Sequence, residues 1–166
     1  MSNGDWQELR TLEDALGLPA PGDRNDEHVR YRVFEDALPH LHREDVLVAF
    51  VAALANDPDR SMASGVAGLI LLPGAAAELA AATERAVSDS AWVRQRSSEL
   101  AIYERLVPFG AQGFESELAD ASGWLEERLA ADSQSPKVLG FLSLHAKRRR
   151  ARHEADGRLK ILNATM

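Results

Sequence analysis

The sequence has 166 residues, of which 45% are hydrophobic and 27% are charged, with no cysteine and a formal net charge of −7. A chain of this length buries enough apolar surface to fold as one globular domain without covalent or metal cross-links. The lack of cysteine excludes disulfide scaffolds, zinc ribbons, iron–sulfur clusters and thiol nucleophiles.

Hydrophobic periodicity predicts helices along almost the whole chain. Apolar residues recur with the spacing i, i+3, i+4 and i+7, which places them on one helix face, for example Leu47, Phe50, Val51 and Leu54. No segment shows the period-two alternation of β-branched residues that is typical of strands. The predicted helices, in chain order, span roughly 5–16, 27–41, 43–55, 58–72, 75–87, 90–107, 114–131 and 136–155.

The connections between these helices are short and rich in turn residues. Asp57-Pro58 and Ser135-Pro136 each combine a side chain that caps a helix with a proline that fits its first turn. Because the central connections are so short, consecutive helices are expected to pack as antiparallel hairpins. The sequence therefore predicts an all-α fold.

The predicted elements form a single helical domain over residues 1–157. Its N-terminal helix, 5–16, is joined to the rest by loop 17–26, which holds two glycines and two prolines. The residues after Gly157, 158–166, are expected to form a loosely ordered tail.

Two glycines interrupt the alanine-rich helix predicted over residues 58–72. A glycine inside a helix costs up to about 1 kcal/mol relative to alanine. We therefore expect Gly65 and Gly68 to lie where another backbone leaves no room for a Cβ atom.

Two stretches that begin with aspartate, 57–65 and 89–97, each open a predicted helix and lie 32 residues apart. In the second stretch Asp89 precedes the helix, Arg94 follows a valine about one turn later, and a small Ser97 comes next. This arrangement resembles the second helix of a HEAT repeat. In that family the aspartate and arginine of successive repeats form a ladder, so the resemblance implies an inter-repeat structural role for Asp89 and Arg94.

The resemblance covers about residues 43–107 and implies that the hairpins stack as a short HEAT-like α-solenoid. The stretch 57–65 departs from the HEAT pattern, because Ser61-Met62 stand where the family has a Val-Arg pair. This departure leaves the continuity of the ladder open. An irregular compact helical bundle is the alternative architecture.

Charge is distributed unevenly along the chain. Residues 1–136 hold 24 acidic and 11 basic side chains, whereas residues 137–166 hold 2 acidic and 8 basic ones. Most of the latter form one run: Lys147, Arg148, Arg149, Arg150 and Arg152. This run would bind phosphates of a nucleic acid or an acidic protein surface, or it would be a solvated helix end whose cations the helix dipole favours. No aromatic residue that stacks on bases lies in the run.

The sequence contains none of the motifs GxSxG, GxGxxG, P-loop or HExxH that mark common catalytic and nucleotide sites. His40 and His42 are two residues apart, so on a helix their rings point about 200° apart and do not share a metal ion. Glu126 and Glu127 are predicted on the solvent side of a helix, where nothing tunes a carboxylate for catalysis. We therefore expect no enzyme activity, no cofactor and no metal site.

An acidic body without a catalytic motif predicts a non-enzymatic protein–protein interaction module. Its acidic helical surface would attract a basic partner protein, as an adaptor or as an inhibitor of the immunity-protein type. The alternative is a nucleic-acid binder that uses the basic helix 147–153. The first residues do not resemble a signal peptide, and the longest apolar run, 46–55, is too short to span a membrane, so we expect a cytoplasmic protein.

Overall fold

The computed structural model describes residues 6–19, 22–110 and 112–165, which form ten α-helices and one 3₁₀ turn and contain no strand. The all-α fold class is therefore confirmed. None of the described helices has both the length and the apolarity that a membrane-spanning segment requires. The helices are α1 (Gln7–Leu16), α2 (Glu27–Ala37), α3 (Glu44–Asn56), α4 (Arg60–Ile70), α5 (Ala77–Ala86), α6 (Ala91–Phe109), α7 (Glu115–Ala119), α8 (Gly123–Asp132), α9 (Pro136–His145) and α10 (Arg149–Thr165), and the 3₁₀ turn is Leu38–His40.

The chain divides into two compact units, residues 1–97 and 98–166, with the boundary inside α6. The stacking of hairpins and the single domain over residues 1–157 stay predictions. Parts of the predicted N-terminal helix, loop and tail lie outside the described residues, namely residues 5, 20, 21 and 166.

The core of the first unit is formed by α1 to α5 and the beginning of α6. Phe34 and Phe50 are fully buried there and meet edge to face, with ring centroids 5.3 Å apart. α1 packs against α3 and contributes Leu9 and Leu12, both buried. The N-terminal helix is thus part of this unit's core.

Two ion pairs, one partly and one fully buried, connect the segment after α1 to the rest of the first unit. Glu13, which is buried in α1, accepts two hydrogen bonds from Arg24, at 2.5 and 3.1 Å. Arg30 in α2 donates from Nε to Asp57 Oδ2 at 2.9 Å and from Nη1 to the carbonyl oxygen of Arg24 at 2.9 Å. Its guanidinium also lies 4.9 Å from the centroid of the Trp6 ring. These bonds fix the position of α1.

The start of α4 differs from the prediction, which used Asp57 as the helix cap. Asp59 is the cap, because its carboxylate accepts the N–H groups of Ser61 and Met62 at 3.0 and 2.9 Å. These backbone bonds hold the pKa of Asp59 below its usual value. Asp57 is buried instead, where it pairs with Arg30 and accepts the N–H of Asp59 at 2.8 Å.

Gly65 and Gly68 differ in what an added side chain would meet. A Cβ atom built at Gly65 has no neighbour within 4 Å. The prediction that another backbone leaves no room for a Cβ atom is therefore wrong at Gly65. At Gly68 the Cβ atom would lie 2.7 Å from Cη2 of Trp92. The neighbour is therefore a side chain that is itself 44% exposed, and not a backbone.

Gly65→Ala is expected to raise the free energy of unfolding by about 0.5–1 kcal/mol, because alanine favours the helix and meets nothing at this position. Gly68→Ala is expected to stabilise the protein less than Gly65→Ala does, and to push the indole of Trp92 away from α4. Thermal unfolding of both variants checks the first effect, and the NMR shift of the Trp92 indole N–H checks the second. A Gly65→Ala variant less stable than the wild type would contradict this assignment.

The second unit consists of the end of α6 and the helices α7 to α10. Its core contains the fully buried side chains of Leu125, Leu129 and Leu139. Tyr103 donates a hydrogen bond to Asp132 at 2.9 Å, and burial together with this bond raises the pKa of Tyr103 to about 12.

The predicted helix 114–131 is interrupted at residues 120–122. Ser122 begins α8, because its Oγ accepts the N–H of Trp124 at 3.2 Å. The buried carboxylate of Glu99 in turn accepts the N–H and hydroxyl of Ser122, at 2.7 and 2.8 Å. These bonds satisfy the polar groups at the turn between α7 and α8.

The predicted helix 136–155 is also two helices, because the chain turns at residues 146–148. Glu126 of α8 is only 1% exposed, which corrects its expected position on the solvent side of the helix. Its carboxylate accepts the backbone N–H groups of Lys147 and Arg148 at 2.8 and 3.2 Å. Glu126 therefore stabilises the turn that leads into α10.

Residues 158–165 are helical, so the loosely ordered tail expected there is corrected to the last turns of α10. Gly157 does not end the helix. Arg158 donates to the carbonyl oxygen of Ser133 at 3.0 Å, and Lys160 pairs with Asp156 one turn earlier at 2.7 Å. These contacts hold the end of α10 in place.

Candidate functional site

An open groove of about 630 Å³ lies between α1 and α3 in the first unit. Its floor is apolar and belongs to α3, whereas its rim carries carboxylates from both helices. We call it the acidic groove, and its lining residues are Glu8, Thr11, Glu44, Asp45, Val48, Ala49 and Ala52.

The floor of the acidic groove exposes apolar surface that the fold does not cover. Val48 is 64% exposed, more than any other large apolar side chain of the described first unit. Ala49 and Ala52 beside it are small and therefore leave space between the two helices. The buried side of α3 faces the core through Phe50 and Leu54, so Val48 is not needed for the core.

The rim of the acidic groove is negatively charged. Glu44 and Asp45 lie in the first turn of α3, where the helix dipole favours carboxylates. Asp45 accepts a hydrogen bond from Arg43 at 2.6 Å, which lowers the pKa of Asp45. Glu8 and Glu44 have no ion-pair partner within the described ranges. Two carboxylates of the rim are thus available to a ligand.

The wall formed by α1 is anchored at its C-terminal end. Gly17 ends the helix in the left-handed conformation (φ 67°), which favours glycine. Arg43 donates to the carbonyl oxygen of Ala15 at 3.1 Å, and the Glu13–Arg24 pair fixes the loop that follows. This end of the wall is therefore attached both to the start of α3 and to the segment that follows α1.

Asp89 and Arg94, the residues that the HEAT resemblance singled out, do not bind each other through a hydrogen bond among the described contacts. Asp89 accepts two bonds from Arg60, at 2.7 and 3.0 Å, and this pairing lowers the pKa of Asp89. Arg60 also donates to the carbonyl oxygen of Ala86 at 3.1 Å. Arg94 donates to the carbonyl oxygen of Ser88. A link between the two aligned stretches therefore exists, but Arg60 provides it.

Most of the basic run contacts the second unit itself. Lys147 donates from Nζ to the carbonyl oxygen of Ala121 at 3.0 Å, and Arg148 pairs with Glu127 at 3.0 Å. Arg152 donates to the carbonyl oxygens of Ala146 and Lys147, which cap the end of α9 and the turn. The run therefore spans a helix break and the start of α10, not the end of a helix.

The last two members of the run differ from each other. Arg149 donates to Nε2 of His153 at 3.2 Å. Arg150 has no hydrogen-bond or ion-pair partner in the described part of the chain, and it lines a cavity of about 300 Å³ together with Trp124 and Arg128 of α8. Sequence reading missed this aromatic neighbour because it lies on another helix. Glu127 and Glu154 line the same cavity and reduce its positive charge.

The histidines and carboxylates do not converge on a metal-binding arrangement within residues 6–19, 22–110 and 112–165. The rings of His40 and His42 have centroids 6.5 Å apart. His145, at the end of α9, is exposed and contacts Phe141, with the ring centroids 4.7 Å apart and the ring planes tilted by 42°.

Comparison of the chain with protein-family models, with curated proteins and with solved structures finds no match.

Proposed function

We propose that this protein is a non-enzymatic binding module whose first unit binds a partner protein through the acidic groove. The observation that carries the proposal is the exposed apolar floor at Val48 next to the carboxylates of Glu8 and Glu44. Apolar contact supplies affinity, whereas the carboxylates steer and select a basic partner. An adaptor and an inhibitor of the immunity type both work in this way.

The acidic surplus of residues 1–136 supports a basic partner. Residues 1–136 hold 24 acidic against 11 basic side chains, and this surplus attracts a positively charged protein over a distance of about one Debye length, roughly 8–10 Å. This attraction increases the rate at which such a partner encounters the protein.

HEAT-like stacking of the hairpins belongs to this proposal as well. The Arg60–Asp89 pair supports it, because Arg60 lies in the stretch 57–65 and Asp89 in the stretch 89–97 that the resemblance aligned. A side-chain link between two successive hairpins is what a repeat ladder requires, although Arg60 is at the position that Trp92 has in the second stretch.

The nucleic-acid alternative has less support. Lys147, Arg148, Arg149 and Arg152 are already hydrogen-bonded within the second unit, so part of their donor capacity is not available to phosphates. Arg150 retains an available charge, and carboxylates share its cavity.

The proposal predicts that a photo-cross-linking amino acid at position 48 captures one partner from an extract of the native host. Val48 is exposed, so the substitution leaves the fold intact. The same amino acid at Leu144, which is 75% exposed in α9, is the matched control and should not capture that partner. Capture at position 48 should fall when Glu8 and Glu44 are both changed to glutamine, and mass spectrometry of the conjugate identifies the partner segment.

Equal capture at positions 48 and 144, or capture that does not respond to the glutamine substitutions, would contradict the proposal. Binding of single-stranded DNA or RNA that disappears on Arg150→Gln and persists in the groove variants would instead favour the nucleic-acid alternative.

A further inference from the structure

We infer that the segment accepted by the acidic groove is a cationic amphipathic helix of the partner. One large apolar side chain of this helix lies on Val48, and its lysine or arginine residues face Glu8 and Glu44. The inference rests on the proposed function and adds the chemistry and the secondary structure of the bound segment.

The shape of the floor fits a helix with an apolar stripe. The lining residues of α3 extend from Glu44 to Ala52, which corresponds to about 12 Å along a helix axis, or roughly two turns. Ala52, which is partly exposed, is small enough for a second helix to approach α3 at the short end of the usual interaxial distance, about 8 Å. Val48, at 64% exposure, then meets the apolar side chain at the centre of the contact.

The rim decides the charge of the bound helix. Glu44 lies on the α3 side and Glu8 on the α1 side, and neither has an ion-pair partner among the described residues. Asp45 is already paired with Arg43 and adds little net charge. Lysine and arginine suit this rim, because their long aliphatic stems cover apolar surface while their charged groups reach the carboxylates. A helix with acidic flanks would be repelled.

A helix fits this site better than an extended strand. The described residues contain no strand, so they offer no sheet edge to which a peptide could add. The groove lies between two helices, whose side-chain ridges accept the ridges of a third helix.

The test uses a synthetic peptide of leucine, lysine and alanine, about 14 residues or four turns long, with leucine at helical spacing on one face. Two control peptides have the same composition in an order without an apolar face, or glutamate in place of lysine. Fluorescence anisotropy with the full chain measures affinity at low and moderate salt. The amphipathic cationic peptide is expected to bind at least about tenfold more tightly than either control.

Variants of the protein separate apolar docking from general charge attraction. Val48→Glu removes the apolar contact and adds a negative charge, and it is expected to weaken binding by about tenfold or more. Val48→Ser, which leaves the charge unchanged, should weaken it in the same direction. Glu8→Gln with Glu44→Gln should weaken binding and reduce its salt dependence. Leu144→Glu and Glu104→Gln are the matched controls and should leave affinity unchanged.

Tighter or unchanged binding by Val48→Glu would overturn the inference, because charge alone would then explain the affinity. A wild-type dimer that Val48→Glu dissociates would overturn it too, since a second copy of the chain would be the occupant. If position 48 captures a host partner through a segment that is not a cationic helix, the inference fails while the proposed function stands. If position 48 captures nothing, the proposed function itself fails.

Discussion

Replacing Asp57 with alanine is expected to lower the free energy of unfolding by about 3–5 kcal/mol, because it leaves the charge of Arg30 buried without a partner. The side chains of this pair are 4% and 2% exposed, and the Arg30 Nε–Asp57 Oδ2 distance is 2.9 Å. Asp57 also accepts the N–H of Asp59, which loses its acceptor. Urea denaturation of the full chain, followed by circular dichroism, measures the change.

The double variant Arg30→Met with Asp57→Leu should cost much less than the sum of the two single changes, because an apolar pair replaces a buried ion pair at little cost. Asp45→Ala, which breaks the exposed pair with Arg43, is the matched control and should have little effect. An Asp57→Ala variant as stable as Asp45→Ala would show that water reaches Arg30 and would contradict its burial.

Glu126→Ala should destabilise the protein by about 2–4 kcal/mol, since a carboxylate that accepts two backbone N–H bonds in a buried site is lost. The bonds come from Lys147 and Arg148 at 2.8 and 3.2 Å. Glu126→Gln keeps one acceptor oxygen, so we expect it to reduce the stability about half as much as Glu126→Ala does. Chemical denaturation gives the loss of stability, and amide hydrogen exchange at Lys147 and Arg148 should accelerate in the alanine variant.

The adjacent Glu127 provides the matched control. It pairs with Arg148 at 3.0 Å on the protein surface, so Glu127→Ala should cost less than about 1 kcal/mol. Equal effects at the two positions would mean that charge near the basic run, and not the capping of the turn, is what stabilises α10.

The helices were predictable from the sequence because apolar residues with a period of 3.6 depend only on local spacing. The breaks between α7 and α8 and between α9 and α10 were not predictable, because they depend on side chains that are distant in sequence. Glu126 illustrates this point. Beside Glu127 it looks like part of a polar helix face, but its carboxylate accepts a backbone N–H from Lys147, which lies 21 residues later in the sequence. Arg30 and Glu13 are similar, since each is buried only because Asp57 or Arg24 lies opposite.

The acidic groove was partly accessible to sequence reasoning. The ten consecutive apolar residues 46–55 are distributed all round a helix, because each residue turns the helix by about 100°. Some of their side chains must therefore point away from the core. Sequence alone does not tell whether another element covers them. The structure shows that α1 covers part of this face and leaves Val48 exposed. This arrangement depends on how α1 packs against α3, so the spacing of residues within α3 does not predict it.

The acidic groove exists only while α1 stays packed on α3, so the proposed binding of a partner there would depend on α1. α1 supplies one wall, but its only covalent connection to α3 runs through the segment between residues 17 and 43. Proteolytic cleavage in that segment, followed by release of α1, would remove Glu8 and uncover the surface of α3 that Leu9 and Leu12 now shield. Loss of α1 would thus remove one wall of the proposed binding site and expose apolar surface of α3, which favours aggregation.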